Sequence, residues 1–218
     1  MTTYQNQIIP KAQWDNWHWQ LKNSITSPDQ LVSLFPFLNK YKIEQISKNY
    51  RFAITPHFLS LIGNNINNPL FKQVLPDITE LDDDFRIDPF NEQSKTPIKN
   101  VIRRYNDRIV ITTTNLCASY CRYCTRKWNW PNNFMINDND INKIADYLEK
   151  HKEIREVIIS GGEPFLLPIA LLKNLIHTLL NIKSIEVIRI GTRILTYLPQ
   201  RIDEELLDLL SISKPIWI

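Results

Sequence analysis

The chain has 218 residues, 43% of them hydrophobic, and a formal net charge of +3; this length fits one large domain or a small domain with an extension. The charge is too small to favour a nucleic-acid or membrane partner, and no run of 18 apolar residues predicts a membrane span. The start of the chain lacks signal-peptide character, and its three cysteines lie in one cluster. These features predict a cytoplasmic protein with reduced thiols.

The first hundred residues predict a helical region followed by an irregular arm. Apolar residues recur at helical spacing over 14–25, and further helices are expected over 28–35 and, in two pieces broken near Thr55, over 40–63. The stretch 64–100 is rich in Asn, Pro and Asp and has little periodicity. Its run Asp82-Asp83-Asp84 is interpreted as a solvated turn, because nothing nearby completes a calcium loop.

From Arg108 onward, the pattern alternates between strands and helices, which indicates βα units on a parallel sheet. Predicted strands cover 108–114, 156–160, 185–190 and 215–218, and predicted helices cover 138–150, 168–181 and about 201–211. The fold class is therefore α/β, with a helical region over 1–100 and an incomplete (βα) barrel over 101–218. A full barrel takes roughly 250 residues. The expected open edge favours self-association or a complementing C-terminal chain.

All three cysteines stand in one motif, Cys117-Ala-Ser-Tyr-Cys121-Arg-Tyr-Cys124. Structural zinc usually takes four ligands in two close pairs, and a self-contained cubane takes four thiolates. Three thiolates leave one iron of a [4Fe–4S] cluster open for an outside ligand such as S-adenosylmethionine (SAM). The alternatives are a zinc site completed by a distant histidine and buried thiols without a metal. The four histidines are scattered and have no ligand spacing to the motif.

Two further segments follow predicted strands, and both contain rare glycines, of which the chain has only four. The first, Ser160-Gly161-Gly162-Glu163, ends the second strand of the βα region. The other, Arg189-Ile-Gly191-Thr192-Arg193, ends the third. Glycine lets the backbone approach a ligand closely, and barrel active sites lie at the carboxyl ends of strands.

The cysteine motif with Thr125-Arg126-Lys127 resembles the signature of the radical SAM superfamily and, more narrowly, of the lysine 2,3-aminomutase family. The similarity also covers Trp17–Leu21, Pro69–Val74 and the stretch from Arg189 to Ile202. It implies a partial radical SAM (βα) barrel in which the three cysteines bind a [4Fe–4S] cluster.

The resemblance also implies roles for individual residues in binding SAM. Tyr123 would lie near the adenine, with plain packing as the alternative. The SAM amino group would be held by Ser160, Gly161, Gly162 and Glu163, where Glu163 replaces an aspartate common in aminomutases. The carboxylate or ribose would meet Arg189, Thr192 or Arg193, unless the arginines are surface charges.

Other implied roles concern pyridoxal phosphate (PLP) and the substrate. Arg104, Tyr105 and Arg108 would bind the phosphate of PLP, with a solvated basic patch as the alternative reading. Arg126 would grip the substrate carboxylate and is the expected catalytic residue. The chain has no lysine in a Schiff-base motif. Arg122 and Lys127 are expected on the surface.

The implied activity is migration of an amino group from C2 to C3 of an amino acid, started by a 5′-deoxyadenosyl radical and dependent on PLP. L-lysine is the expected substrate; glutamate and a lysine of elongation factor P are alternatives. An electron donor for the cluster is an expected partner. A cluster-binding remnant without turnover, or half of a split enzyme, is the competing interpretation. A tRNA-modifying role is disfavoured because no basic domain is appended.

Overall fold

A computed structural model describes residues 2–5, 7–63, 68–81, 88–131, 133–212 and 215–218. The Asp82–Asp84 turn and parts of the arm lie outside the described residues. The chain divides into two compact units. One contains Met1–Ile87, Cys117–Pro131 and Ile194–Arg201; the other contains Asp88–Leu116, Asn132–Arg193 and Ile202–Ile218. The boundary expected near residue 100 stays a prediction.

The helices are α1 (Lys11–Trp14), α2 (Trp17–Lys22), α3 (Pro28–Leu34), α4 (Lys40–Asn49), α5 (Pro56–Ile62), α6 (Pro69–Val74), α7 (Asp138–Lys150), α8 (Ile169–Asn181), α9 (Ile194–Tyr197) and α10 (Glu204–Leu210). The strands are β1 (Thr2–Tyr4), β2 (Gln7–Ile9), β3 (Val101–Ile102), β4 (Arg108–Thr112), β5 (Glu156–Ser160), β6 (Val187–Ile190) and β7 (Ile216–Trp217). Short 3₁₀ helices lie at Ile78–Leu81, Gln93–Lys95, Lys127–Asn129, Pro164–Leu166 and Pro199–Arg201.

The first unit is mainly helical, and its helices begin where the sequence provides caps. Ser27 and Gln30 form a capping box at α3, and Thr55 caps α5 with Pro56 in the first turn. The single helix predicted over 14–25 is wrong: α1 ends at Trp14, and Asn16 starts α2 by accepting a hydrogen bond from the Trp19 amide.

The second unit contains a five-stranded sheet in the order β3-β4-β5-β6-β7. β3 is antiparallel to β4, and the other neighbours are parallel. The units β4–α7, β5–α8 and β6–α10, followed by β7, confirm the predicted α/β class and three and a half βα units. β4, β6 and α10 are each shorter than predicted, and β3 was not predicted because a two-residue strand carries almost no pattern.

The two faces of this sheet differ in exposure. Ile109 and Ile111 of β4, with Val157 and Ile159 of β5, point to the buried face. The alternate residues of the same strands, including Arg108 and Glu156, lie on a face that is partly exposed. α7 packs against α8, and α8 against α10. The sheet therefore carries charged side chains on one face only.

None of the helices in the described part of the chain combines the length and the apolar composition that crossing a bilayer requires.

Candidate active site

The three cysteines follow β4 in the chain and lie in the first unit on one half-buried loop, Cys117–Cys124, called the cysteine loop below. The amide of Cys124 donates to the carbonyl of Cys121 at 3.0 Å. Cys117 and Cys124 pack against an apolar cluster of Ala53, Tyr120 and Trp130. Burial raises the pKa of the Cys124 thiol, and a hydrogen bond from the Arg126 amide opposes this shift. The loop thus presents three thiols that form no disulfide beside an apolar surface.

The arrangement of these thiols is not a closed metal site. Among the described residues, no three His, Cys, Asp or Glu side chains come together as a ready-made metal-binding group. The donor set nevertheless fits the chemistry of an iron–sulfur cluster, since three thiols on a single short loop match its preference for thiolate ligands. Within the same described residues, no histidine joins the three cysteines in such a group.

Side chains and main chain from distant segments anchor the cysteine loop. The Ser119 hydroxyl donates to the Ala53 carbonyl at 2.7 Å, and the Arg122 amide donates to the Gln73 carbonyl at 2.9 Å. The Cys121 thiol donates to the hydroxyl of buried Tyr197 at 3.4 Å, and that hydroxyl donates to the Gln73 amide oxygen at 3.3 Å. Gln73 and Tyr197 lie in segments that resemble the aminomutase family, but neither residue was singled out from the sequence.

Arg122 and Lys127 are not on the surface, so that expectation is wrong. Their side chains are 6% and 18% exposed, and both bind the Glu80 carboxylate. Burial alone would raise the pKa of the Glu80 carboxyl, but the hydrogen bonds and charge of Arg122, with hydrogen bonds from Lys127 and the Asp77 amide, outweigh burial and lower that pKa. These three charged side chains can lie away from solvent because they form ion pairs with one another.

Tyr123 and Arg126 flank the last cysteine. Tyr123 is 54% exposed, which does not fit plain packing in a core. Arg126 is half-buried, and its amide donates to the Cys124 sulfur at 3.4 Å. The proposed contacts of these two residues with SAM adenine and a substrate carboxylate stay predictions.

In the second unit, the loop from Ser160 to Glu163, called the glycine loop below, is held by backbone contacts. The Gly162 amide donates to the Thr114 carbonyl at 2.5 Å, and the Glu163 amide donates to the Leu116 carbonyl at 2.8 Å. These bonds hold residues 113–116, the segment that leads into the cysteine loop.

The two glycines of this loop are required by the chain's own backbone. Gly161 has a φ of +118°, and a Cβ there would lie 2.6 Å from the Thr114 carbonyl oxygen. At Gly162, a Cβ would lie 2.3 Å from the Leu116 carbonyl oxygen. These glycines allow the backbone of residues 113–116 to approach closely, and the expected contact with a ligand stays a prediction.

Glu163 is buried, and its carboxylate joins the ends of two strands. One oxygen accepts from the Thr192 hydroxyl at 2.6 Å and from the Phe165 amide at 3.2 Å. The other accepts from the Arg193 amide at 3.0 Å. Burial raises the pKa of the Glu163 carboxyl, and these three hydrogen bonds oppose that shift. The structure therefore brings Glu163, Thr192 and Arg193 together, and their contacts with SAM stay predictions.

Arg189 lies apart from this group, at the partly exposed face of the sheet. Its Nε donates to Glu156 at 2.6 Å, and Arg108 Nη1 lies 3.7 Å from the other oxygen of that carboxylate. The guanidinium of Arg189 also stands 5.6 Å from the ring centre of Trp217. Glu156 is a residue that sequence reasoning missed, although a charge inside an apolar strand was a usable signal.

The three residues expected to bind PLP phosphate line one open cavity of about 220 Å³ in the second unit. Arg104 and Tyr105 are exposed, and the Arg108 guanidinium carbon lies 5.6 Å from the Tyr105 ring centre. Hydrogen bonds and charge from Asp107, and then the charge of Glu156, raise the pKa of Arg108. Lys95 lines the same cavity, which gives it three cationic side chains.

Comparison with protein families identifies the class. The model of the radical SAM superfamily matches residues 111–217, which run from β4 through the cysteine motif to β7. The chain belongs to the radical SAM superfamily, whose members use a [4Fe–4S] cluster and SAM.

Curated relatives narrow this assignment. The chain is 34% identical to L-lysine 2,3-aminomutase of Clostridium subterminale, over 96% of this chain and 52% of that protein. It is 35% identical to the putative L-lysine 2,3-aminomutase of Aquifex aeolicus (strain VF5), over 96% of this chain and 59% of the relative. It is also 35% identical to glutamate 2,3-aminomutase of Clostridioides difficile (strain 630), over 94% of this chain and 50% of the relative.

Within the superfamily, the chain belongs to the lysine 2,3-aminomutase family. The chain spans about half the length of the curated relatives it matches.

Proposed function

We propose that the chain is the cluster- and SAM-binding part of a radical SAM 2,3-aminomutase, an isomerase of the cytoplasm. The observation that carries this proposal is the cysteine loop, which places three thiols on one short segment directly after the first parallel strand. When bound, the [4Fe–4S] cluster would pass to SAM the one electron that cleaves its sulfur–C5′ bond, giving methionine and a 5′-deoxyadenosyl radical. Cys117, Cys121 and Cys124 would hold the cluster, and a separate donor would reduce it.

Other residues of the chain would bind SAM and the substrate. The glycine loop, with Thr192 and Arg193, would orient SAM, and the exposed ring of Tyr123 would lie along the adenine. Arg126 would bind the substrate carboxylate. These assignments are supported by the grouping of Glu163, Thr192 and Arg193 and by the position of Arg126 beside Cys124.

The cavity at Arg104, Tyr105 and Arg108 would hold the PLP phosphate. An arginine fork suits phosphate because it donates two parallel hydrogen bonds. We expect the chain to bind PLP more tightly than pyridoxal, and Arg104→Gln to abolish that preference. Equal affinity for both compounds in the unmodified chain, measured by titration calorimetry, would instead support a solvated basic patch.

The substrate is proposed to be L-lysine. A second candidate, L-glutamate, is favoured by the 35% identity to a glutamate 2,3-aminomutase. A lysine of elongation factor P remains the third substrate in this proposal. Incubating the reconstituted chain with each substrate, PLP, SAM and dithionite under anaerobic conditions separates them by the β-amino product formed.

The same assay tests the competing interpretation. Formation of 5′-deoxyadenosine with a β-amino product supports the mutase. 5′-Deoxyadenosine without that product supports half of a split enzyme that needs a complementing chain. Neither product, in a chain that has taken up iron, supports a remnant that binds the cluster without turnover.

A further inference from the structure

A single carboxylate in the first unit binds cations on both sides of the last cysteine. Glu80 lies in the 3₁₀ helix Ile78–Leu81. Its two oxygens accept from Arg122 Nε at 2.9 Å and from Arg122 Nη2 at 2.7 Å, and one of them also accepts from Lys127 Nζ at 2.6 Å. Arg122 precedes Cys124 by two residues, and Lys127 follows it by three.

These three charged groups are removed from solvent. The side chains of Glu80, Arg122 and Lys127 are 10%, 6% and 18% exposed. Away from water, an ion pair is favourable only when its geometry is good and its hydrogen bonds are satisfied. The fork-to-fork contact of Arg122 with Glu80 meets this condition and fixes the direction of the guanidinium as well as its position.

Arg122 is also tied to two other segments of the unit. Its Nη1 donates to the Arg51 carbonyl at 2.6 Å, and its amide donates to the Gln73 carbonyl at 2.9 Å. Glu80 binds the other side of the same guanidinium, so both contacts need one orientation of the Arg122 side chain. Removing the Glu80 charge would therefore release the stretch of the cysteine loop that contains Cys121 and Cys124.

We propose that Glu80 is a positioning residue for the cysteine loop, holding Arg122 and Lys127 so that the three thiols are presented together for cluster uptake. The inference rests on the proposed function in one respect, because cluster uptake is the purpose that it assigns to the held conformation. The contacts of Glu80 with Arg122 and Lys127, called the hold below, form in the chain without a cluster.

Hydrogen exchange of the metal-free full chain tests the hold directly. In Glu80→Gln, we expect the amides of Arg122 and Cys124 to exchange at least about tenfold faster than in the unmodified chain, the change expected from losing a charge-assisted hydrogen bond. Asp140→Asn is the matched control: Asp140 is also a buried carboxylate, paired with Lys99 at 3.2 Å, but it belongs to the second unit. It should leave exchange at Arg122 and Cys124 unchanged.

Iron uptake gives the second readout. After anaerobic reconstitution with iron and sulfide, we expect iron per chain to fall at least about threefold in Glu80→Gln and to stay at the unmodified level in Asp140→Asn. A general effect of neutralising any buried carboxylate would lower iron uptake in both variants equally and would overturn the proposal. Unchanged exchange and unchanged iron in Glu80→Gln would overturn the proposal.

Different results would contradict the positioning role of Glu80 and the proposed function of the chain. If the unmodified chain takes up no iron but Glu80→Gln still speeds exchange in the loop, the hold stands and the proposed function fails. If the unmodified chain takes up iron and Glu80→Gln takes up as much, the proposed function stands and the positioning role fails. Should Glu80→Gln not fold, Glu80→Asp keeps the charge with a shorter reach, and an intermediate exchange rate is then the expected result.

Discussion

The cysteine loop and the glycine loop are held in place by different kinds of contact. The cysteine loop depends on side chains from distant segments: Ser119 reaches Ala53, and Arg122 binds Glu80. The glycine loop depends on main-chain contacts, with Gly161 and Gly162 packed against the backbone of residues 113–116. The first loop should tolerate small shifts of its backbone, whereas the second should tolerate no added atom.

The largest expected effect is at Gly162. Gly162→Ala would place a Cβ 2.3 Å from the Leu116 carbonyl oxygen, and neither backbone can move without breaking its hydrogen bonds. We expect the free energy of unfolding, measured by urea titration under reducing conditions, to fall by about 3 kcal/mol.

Gly191→Ala is the control for this prediction. Its Cβ would come no closer than 3.4 Å to the Ser160 side chain. The change should alter the free energy of unfolding by less than about 1 kcal/mol. Equal losses in the two variants would mean that the glycine loop is not held by close backbone approach.

A smaller effect is expected at Arg122. Arg122→Lys keeps the charge but cannot bond Glu80 at two points while also reaching the Arg51 carbonyl. We expect the free energy of unfolding to fall by about 2 kcal/mol. Arg155→Lys changes an exposed pair with Glu186, whose side chains are 62% and 59% exposed, and should cost less than about 0.5 kcal/mol. Identical costs would contradict a cysteine loop supported by buried charge.

The smallest effect concerns the pH dependence of the glycine loop. Burial raises the pKa of Glu163 above its ordinary value of 4.5. Because the folded state then favours the protonated carboxyl, this group's contribution to stability is complete below pH 4.5 and is lost as the pH rises through the folded-state pKa. As the pH rises from 4.5 through the folded-state pKa, the unmodified chain should therefore lose stability relative to Glu163→Gln.

Chemical denaturation of both proteins at several pH values measures that difference. The other titrating groups, such as Glu80 with its lowered pKa, cancel because both proteins contain them. If the difference in stability between the two proteins stays constant, or grows in favour of the unmodified chain as the pH rises, then folding does not raise the pKa of Glu163.

Much of the fold followed from local patterns. Helix α7 and strand β5 were predicted to the residue, because the helical periodicity of apolar residues and a short apolar run are local features of the sequence. The Gly161-Gly162 pair was recognised in the sequence, but the backbone segment against which it packs was not. A close contact with residues 113–116 depends on how two strands pair, which one segment cannot reveal.

The supports of the cysteine loop were missed for a similar reason. Arg122 and Lys127 have the composition of a surface segment, and only folding brings Glu80, some forty residues earlier, against them. Their burial could not be predicted because a buried ion pair and a solvated one look the same in sequence. Residues 64–67 and 82–87, where the irregular arm was expected, lie outside the described part of the chain.

The central claim is that Cys117, Cys121 and Cys124 hold a [4Fe–4S] cluster with one iron open to SAM. Electron paramagnetic resonance of the anaerobically reconstituted and reduced chain, recorded with and without SAM, tests it most directly. We predict about four irons per chain, a reduced-cluster signal that shifts when SAM is added, and loss of both in Cys121→Ala. A reconstituted chain without that signal, or with a signal that SAM leaves unchanged, would contradict the account.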